Sequence, residues 1–343
     1  MKILAAGDTF MPPSYFEEAF AALEQAHAVG YFQVDAERPF VPSTPSELAL
    51  REYQGSPAEL AERMAGVEVL VVQGAPVTDA VLDASQALRL VCCARGGPVN
   101  VDVEAMTARG LPLVNTPGKN AEAVADLTLA FLVMLARALP KAQRFLEEGH
   151  RLRDNWEGVR FIGSDLRQHV LGLVGFGQIG RRVAQRARSF GMTVIVYDPF
   201  ADADGLERVE TLGELLERAD FVSLHARATP ENQNMIDAAA LAAMKPGAYL
   251  VNTARETLVD EDALDAALAS GRLAGAALDV VHTSDEDGRH RLLRHENVVL
   301  TPHLGGATRE TLLEGAAMIA AEIERFAAGE PLVNVLNGAA VAA

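Results

Sequence analysis

Four stretches of this sequence gather residue types able to do chemistry. In the first, the apolar run Val170-Leu171-Gly172-Leu173-Val174 leads into Gly175-Phe176-Gly177-Gln178-Ile179-Gly180, and a second apolar run, Thr193 to Tyr197, ends at Asp198. Glycines at G-x-G-x-x-G spacing between a strand and a helix suit a dinucleotide. Gly175 permits the tight turn, Gly177 lets the backbone approach a pyrophosphate, and Gly180 lets the helix pack closely on the strand. The helix start then offers free N–H groups and a positive dipole end to phosphates. Asp198, 18 residues beyond Gly180, is placed to accept hydrogen bonds from the adenosine ribose hydroxyls of an NAD-type cofactor. The other three stretches are strand ends. Arg255 follows Val251-Asn252-Thr253-Ala254, Asp279 ends Ala276-Ala277-Leu278, and His303 follows Val298-Val299-Leu300-Thr301-Pro302. An arginine at a carboxyl strand end can grip a carboxylate with two parallel hydrogen bonds. A histidine there is the natural acid–base group near neutral pH. For each of the three taken alone, a structural role in a turn is the alternative.

The elements that must hold these residues read as repeated βα units, the signature of parallel α/β sheets. Short apolar strands are expected at Lys2–Gly7, Val67–Gln73, Leu88–Cys93 and Leu111–Val114, with helices at Ser14 to about His27, Ala58–Ala65 and Val77–Ser85. Residues 94–102 form a glycine loop entering a further helix, and Pro39, Pro42 and Pro45 mark an irregular passage. Near Asn120 the character changes. Ala121 to Leu139 reads as one long helix with Glu122 and Asp126 in its first turns, where acids suit the dipole. Its apolarity exceeds a single stripe, which predicts burial on several sides, as a central helix or a subunit interface. A second α/β domain follows. Its later strands are expected at Phe221–His225, Tyr249–Asn252, Gly275–Val280 and Val298–Leu300, with helices at Thr211–Arg218, near Asp237 and at Asp260–Ser270. A last amphipathic helix, Glu310–Ala328, falls after the final strand and is expected to return to the first domain.

Bulk composition narrows the function. With 343 residues, 49% hydrophobic and 22% charged, the chain is long enough for two domains with their own cores. A net charge of −17 argues against nucleic acid and disfavours an anionic membrane surface, while a local basic pocket can still hold an acidic substrate. Cys92 and Cys93, the only cysteines, are adjacent in an apolar run and are expected to be reduced core thiols. The histidines show no metal-ligand spacing, so no metal is expected. The start of the sequence reads as a strand, not a signal peptide, and no apolar stretch reaches membrane-spanning length. A cytoplasmic location is the expectation.

Taken together, the motifs resemble the NAD-dependent D-2-hydroxyacid dehydrogenases, the family that includes phosphoglycerate and formate dehydrogenases, over nearly the whole chain. The resemblance rests on Asn100-Val101-Asp102, Asn115-Thr116-Pro117-Gly118 with Asn120, Val124-Ala125-Asp126 and Leu171 to Gly180. It continues through Arg255 followed by Asp260-Glu261-Asp262-Ala263-Leu264, then Ala276 to Val280 and Leu300 to Gly306. It implies two doubly wound parallel-sheet domains. Residues 1–119 with 305–343 would be a flavodoxin-like substrate domain, and residues 120–304 a Rossmann-like NAD-binding domain. It also implies a homodimer through the NAD-binding domain. By resemblance Arg255 binds the substrate carboxylate and carbonyl, and His303 exchanges the proton with the hydroxyl. Arg95, Gly96 and Gly97 form the substrate loop, and Asp279 holds the nicotinamide carboxamide. The NAD-facing set is completed by Gly175, Gly177, Gln178, Ile179, Gly180, Asp198, His225, Thr229, Thr253, Ala254, Gly305 and Gly306.

Three departures stand out. The family's glutamate that pairs with the histidine falls on Ser284, with Asp285 and Glu286 just beyond. Either the carboxylate support is absent or one of those two acids supplies it. The family's glycine-x-glycine loop reads Arg95-Gly96-Gly97, which introduces a second positive group, and the family's proline near the adenine becomes Arg227. The expected function is hydride transfer between NAD(H) and a 2-hydroxy acid/2-oxo acid pair, with NAD preferred over NADP because Asp198 repels a 2′-phosphate. The alternative is an NAD(H)-binding sensor or corepressor-like module with weak or no turnover.

Overall fold

The computed structural model describes residues 1–37, 40–150, 156–282 and 290–338. These fall into two compact units, one of residues 1–119 and 307–343, the other of residues 120–306.

Unit 1 is built on five parallel strands: β1 (Lys2–Gly7), β2 (Ala28–Gln33), β3 (Val69–Val72), β4 (Leu90–Cys93) and β5 (Leu113–Val114). Their order is β2-β1-β3-β4-β5, the flavodoxin-like winding. Every residue of β3 and β4 is buried, as a strand covered on both faces requires. Alternation sends Leu70, Val72, Val91 and Cys93 into one core, and Val69, Val71, Leu90 and Cys92 into the other. The adjacent cysteines therefore point to opposite faces of the sheet and remain free thiols. The helix Arg309–Ala328 covers one of these faces, setting Leu312, Ala316, Ile319 and Ile323 beside Phe16 and Phe20. Residue 308 caps that helix, Thr308 Oγ1 accepting the Thr311 N–H.

One sequence expectation fails in unit 1. The helix from Ser14 stops at Phe20, a single turn follows at Leu23–Gln25, and Ala28–Gln33 is strand β2. It pairs only with β1, at the sheet edge. An edge strand is buried on part of its surface only, so Ala28-Val29-Gly30-Tyr31-Phe32-Gln33 lacks the continuous apolar run that marks central strands.

Unit 2 has seven parallel strands: β6 (Val170–Val174), β7 (Thr193–Tyr197), β8 (Glu207–Arg208), β9 (Phe221–Leu224), β10 (Ala248–Asn252), β11 (Leu273–Leu278) and β12 (Val298–Leu300). The order β12-β11-β10-β9-β6-β7-β8 is Rossmann winding, with the chain reversing direction across the sheet between β6 and β9. The two-residue edge strand β8 carries too little pattern to be read from sequence. The long helix is the second correction: it runs Ala121–Ala136 and breaks, Ala138 taking φ +50°, before Leu139–Glu147 begins in a new direction. Pro140 is the cause. In a continuous helix its ring would meet the carbonyl of Ala136 and its missing N–H would leave that carbonyl unbonded. Here the Ala136 carbonyl accepts the N–H of Ser164 instead, at 2.8 Å. The apolar surface of Ala121–Ala136 goes into the unit's own core, where Phe131, Leu132 and Leu135 meet Leu171, Leu173 and Val183. No single helix among the described residues is long and apolar enough to cross a membrane.

Close packing under the glycine turn makes one position testable. A Cβ added to Gly172, in the middle of β6, would lie 2.5 Å from Leu215 Cδ2 and 2.9 Å from Ala219 Cβ. Gly172→Ala should therefore destabilise the protein by about 1–3 kcal/mol, read as a lower urea midpoint. An unchanged midpoint would contradict this packing.

Candidate active site

The candidate residues of unit 2 follow the carboxyl ends of neighbouring strands. The glycine loop follows β6, Asp198 follows β7, His225 follows β9, Arg255 comes three residues after β10, Asp279 follows β11 and His303 comes three after β12. This is the edge, beside the reversal of strand order, where open parallel sheets bind ligands.

The glycines differ in why they are glycine. A Cβ on Gly175 would sit 2.6 Å from the Ala226 nitrogen, and one on Gly180 would sit 2.5 Å from the Gly175 carbonyl oxygen. Both are fixed by the protein's own backbone, and Gly175 has φ +95° besides. A Cβ on Gly177 would meet nothing within 4 Å. Packing does not require glycine there, so the open space on that side suits a group from outside the protein. Gly177 is also the N-cap of helix Gln178–Ser189 and gives it no side-chain cap, leaving the first N–H groups for an external anion. These residues fit a dinucleotide pyrophosphate.

Asp198 organises the second rim of this loop. Its Oδ2 accepts the Phe176 N–H at 2.7 Å, and its Oδ1 accepts those of Phe200 and Ala201 at 2.8 and 3.0 Å. Burial opposes its charge, but these three donors, with Arg208 nearby, outweigh it and hold the carboxyl below the usual carboxylate value. The cations on the following helix are committed elsewhere. Arg181 pairs with Asp204 and lies 4.7 Å over the Phe176 ring, and Arg182 pairs with Glu122 at 2.5 Å.

At the end of β10, the buried Asn252 shapes the turn. Its Oδ1 accepts the Ala254 N–H and its Nδ2 donates to the Arg255 carbonyl, so Thr253-Ala254-Arg255 is held from beneath. Thr253 Oγ1 lies 3.0 Å from Thr128 Oγ1. The Arg255 side chain is exposed, donates to the Ala254 carbonyl at 2.7 Å, and has no carboxylate partner among the described residues.

Asp279 is the most connected polar residue of the edge, and is 2% exposed. Its Oδ1 accepts the Thr301 hydroxyl at 2.5 Å and the Leu304 N–H at 2.8 Å, its Oδ2 accepts the Gly305 N–H at 2.7 Å, and its carbonyl accepts the His303 N–H at 2.9 Å. These bonds hold His303 at φ +54°, a left-handed conformation that a non-glycine residue adopts at some cost. His303 itself is exposed. Gly305 is required because a Cβ would stand 2.8 Å from Asp279 Oδ2, while one on Gly306 would be 3.2 Å from Asn120 Nδ2. Thr229 is exposed and caps a short turn with Asn232, which also binds the Arg227 carbonyl. Ser284, with Asp285 and Glu286, lies outside the described residues. Among those described, no group of histidine, cysteine and acid side chains has the arrangement of a metal site.

In unit 1, Arg95, Gly96 and Gly97 follow β4. The Arg95 guanidinium donates to the Glu52 carbonyl at 2.8 Å and pairs with the Glu52 carboxylate, while the Gly96 carbonyl accepts from Asn115 Nδ2 at 2.8 Å. Sequence reasoning passed over Asn252, Thr301 and Lys119. Polar residues ending or following apolar strands were the available signal.

Residues 129–305 match the sequence model of "D-isomer specific 2-hydroxyacid dehydrogenase, NAD binding domain". The glyoxylate reductase of Korarchaeum cryptofilum is 38% identical over 85% of this chain and 90% of its own. D-3-phosphoglycerate dehydrogenase of Methanocaldococcus jannaschii is 38% identical over 81% of this chain but 53% of its own, and the chain spans about half the length of several curated relatives it matches. A solved structure of a Thermus thermophilus protein superposes with TM-score 0.79 at 33% identity, covering 98% of this chain and all of that one. Fold and glycine site together define a two-domain α/β protein with a Rossmann dinucleotide domain. The chain belongs to the D-isomer specific 2-hydroxyacid dehydrogenase family, and unit 2 is its NAD-binding domain.

His225 supplies a test of the site's electrostatics. Its Nε2 lies 2.9 Å from the Ser223 hydroxyl, and its Nδ1 is closed to solvent without a partner among the described residues. Burial pushes its pKa down to about 3, although part of the residue remains exposed. An unfolded histidine titrates near ~6.5. Between those values the unfolded chain binds a proton that the folded one refuses, so stability falls as pH drops from about 6.5 towards 3, by at most ~1.4 kcal/mol per unit. His225→Gln should flatten this part of the melting-temperature profile, and an identical slope in the variant would place the proton elsewhere.

Proposed function

We propose that the protein is an NAD-dependent dehydrogenase interconverting a 2-hydroxy acid and a 2-oxo acid. The observation that carries the reading is the sequence of strand ends β10, β11 and β12, which puts Arg255, Asp279 and His303 on one edge of the dinucleotide-binding sheet. Arg255, with no carboxylate partner among the described residues, binds the substrate's C1 carboxylate through its planar fork. His303 gives its proton to the carbonyl oxygen in reduction and takes the hydroxyl proton in oxidation. Asp279 fixes the loop from which His303 acts. Its carboxylate oxygens each hold loop donors, so a carboxamide would use acceptor capacity left over from that task. NAD(H), when bound, supplies or accepts the hydride. Asp198, already the acceptor of three backbone N–H groups, keeps lone-pair capacity for ribose hydroxyls and opposes a 2′-phosphate. Unit 1, with Arg95, Gly96 and Gly97, is read as the substrate-holding domain.

Stopped-flow or steady-state oxidation of NADH with small 2-oxo acids tests this reading. NADH should exceed NADPH in kcat/KM. Arg255→Ala should lower kcat/KM by about 10- to 150-fold, the loss of a charge-assisted contact of roughly 1.5–3 kcal/mol, and His303→Ala should lower kcat by about 100- to 10,000-fold. NADH binding without turnover of any 2-oxo acid would favour a sensor instead.

We also propose a homodimer formed through unit 2. The supporting surface is not Ala121–Ala136 but the stretch after it, where Leu139, Leu146, Val159 and Ile162 are 45%, 50%, 66% and 78% exposed. Apolar side chains exposed together over one stretch mark an interface. Val159→Asp with Ile162→Asp should shift the protein to monomer in sedimentation velocity at micromolar concentration. A wild type that is itself monomeric there would end the proposal.

A further inference from the structure

From Leu127 to its end, the helix Ala121–Ala136 is apolar except at Thr128, which is 0% exposed. A threonine does little for the helix itself. Its branched side chain loses rotamer freedom against the preceding turn, and a leucine would both favour the helix and bury more apolar surface. The hydroxyl is nonetheless fully engaged. Thr128 Oγ1 donates to the Val124 carbonyl one turn back at 2.8 Å, and it lies 3.0 Å from Thr253 Oγ1. Two hydroxyls carry two protons, and both protons are used only if Thr253 donates to Thr128 while Thr128 donates to Val124. Thr253 is 7% exposed, and its hydroxyl has no other partner among the described residues. An apolar residue in place of Thr128 would leave that hydroxyl unbonded.

The turn that Thr253 opens carries Arg255. Asn252 holds it from the strand side, Oδ1 accepting the Ala254 N–H at 3.0 Å and Nδ2 donating to the Arg255 carbonyl at 2.8 Å. Those bonds fix the turn to its own strand. The Thr253–Thr128 bond instead crosses to a helix 125 residues away in sequence. The same face of that helix meets the His303 loop. Val124, Leu127 and Thr128 stand at i, i+3 and i+4 and therefore share a face. A Cβ added to Gly305 would lie 3.4 Å from Val124 Cγ2 and 3.6 Å from Leu127 Cδ2. One helix face thus abuts both loops, the first through a hydrogen bond and the second through apolar contact. Apolar contact is non-directional, whereas a hydrogen bond fixes both distance and angle.

We propose that Thr128 is a positioning residue for the reaction: by accepting the Thr253 hydroxyl proton it ties the Arg255 turn to the helix face that also backs the His303 loop, and so sets the carboxylate-binding arginine relative to the acid–base histidine. This rests on the dehydrogenase reading of Arg255 and His303.

Thr128→Val keeps the shape and removes the hydroxyl, and Thr128→Ser keeps the hydroxyl and removes the methyl group. With NADH and the better of pyruvate and glyoxylate, Thr128→Val should lower kcat/KM by about 10- to 100-fold, the cost of misplacing a substrate-holding group by about an ångström. Thr128→Ser should stay close to the wild type. The loss should also require the arginine. In an Arg255→Ala background, adding Thr128→Val should lower kcat/KM no further, the non-additivity of residues that act through one another. Hydrogen exchange reads the tether without turnover: the peptide bearing Ala254 and Arg255 should exchange faster in Thr128→Val but not in Thr128→Ser. Melting temperatures identify a variant that fails to fold, and Thr128→Ala then takes the place of Thr128→Val. Wild-type kcat/KM and exchange in Thr128→Val, equal impairment in Thr128→Ser, or a full further loss in the Arg255→Ala background overturns the positioning role. Failure of the wild type to reduce either acid, or wild-type constants in Arg255→Ala, overturns the dehydrogenase reading instead, and the exchange comparison then decides whether Thr128 holds the turn.

Discussion

The turn that joins β6 to the helix Gln178–Ser189 depends on two backbone approaches that only glycine allows. Gly180 lies so close to the Gly175 carbonyl that a methyl group would stand 2.5 Å from it, and Gly175 lies as close to the backbone of Ala226 beyond β9. The first contact presses the helix onto the strand, and the second brings the end of β9 against the loop. Together they set the helix N-terminus, the Asp198 turn and the His225 turn around one space. Gly177, where an added Cβ would meet nothing within 4 Å among the described residues, borders that space. Chain chirality and the parallel winding then require every later strand of unit 2 to deliver its carboxyl end to the same edge.

Polar residues at those ends determine how rigidly the chemistry is held. Asn252 and Asp279 are 1% and 2% exposed, and each organises the loop that follows its strand. An unsatisfied buried donor costs about 1–3 kcal/mol, so the loops carrying Arg255 and His303 have few alternative arrangements as long as these side chains remain. The left-handed backbone at His303 fits that account, since strain of this kind persists where surrounding bonds over-determine it. Asp279 supports the site through the loop it holds as much as through any ligand it meets.

Unit 1 shows the same logic with less complete satisfaction. Asn100 and Asn337 are tied into the backbone, and buried Glu322 accepts from Val333 and Asn334, fastening residues 330–337 to the unit. At the carboxyl edge, by contrast, the Thr116 hydroxyl has no hydrogen-bond partner among the described residues.

The sequence by itself determined the central strands, the glycine turn and the strand-end residues, because fully buried parallel strands leave uninterrupted apolar runs and a tight βα turn leaves glycines at fixed spacing. It left β2 unread, since an edge strand is only partly buried and carries a broken pattern, and it carried one helix on to Leu139, where the helix instead ends at Ala136 and the chain turns at Ala138. The sequence presented Arg95 as a second positive group in the loop after β4. Only the tertiary structure could show Glu52, 43 residues away in sequence, neutralising it, and Gly315 in the last helix making room for Lys119. Local pattern reports which face of an element is buried. Which distant residue balances a charge or vacates a space depends on contacts that exist only once the chain has folded.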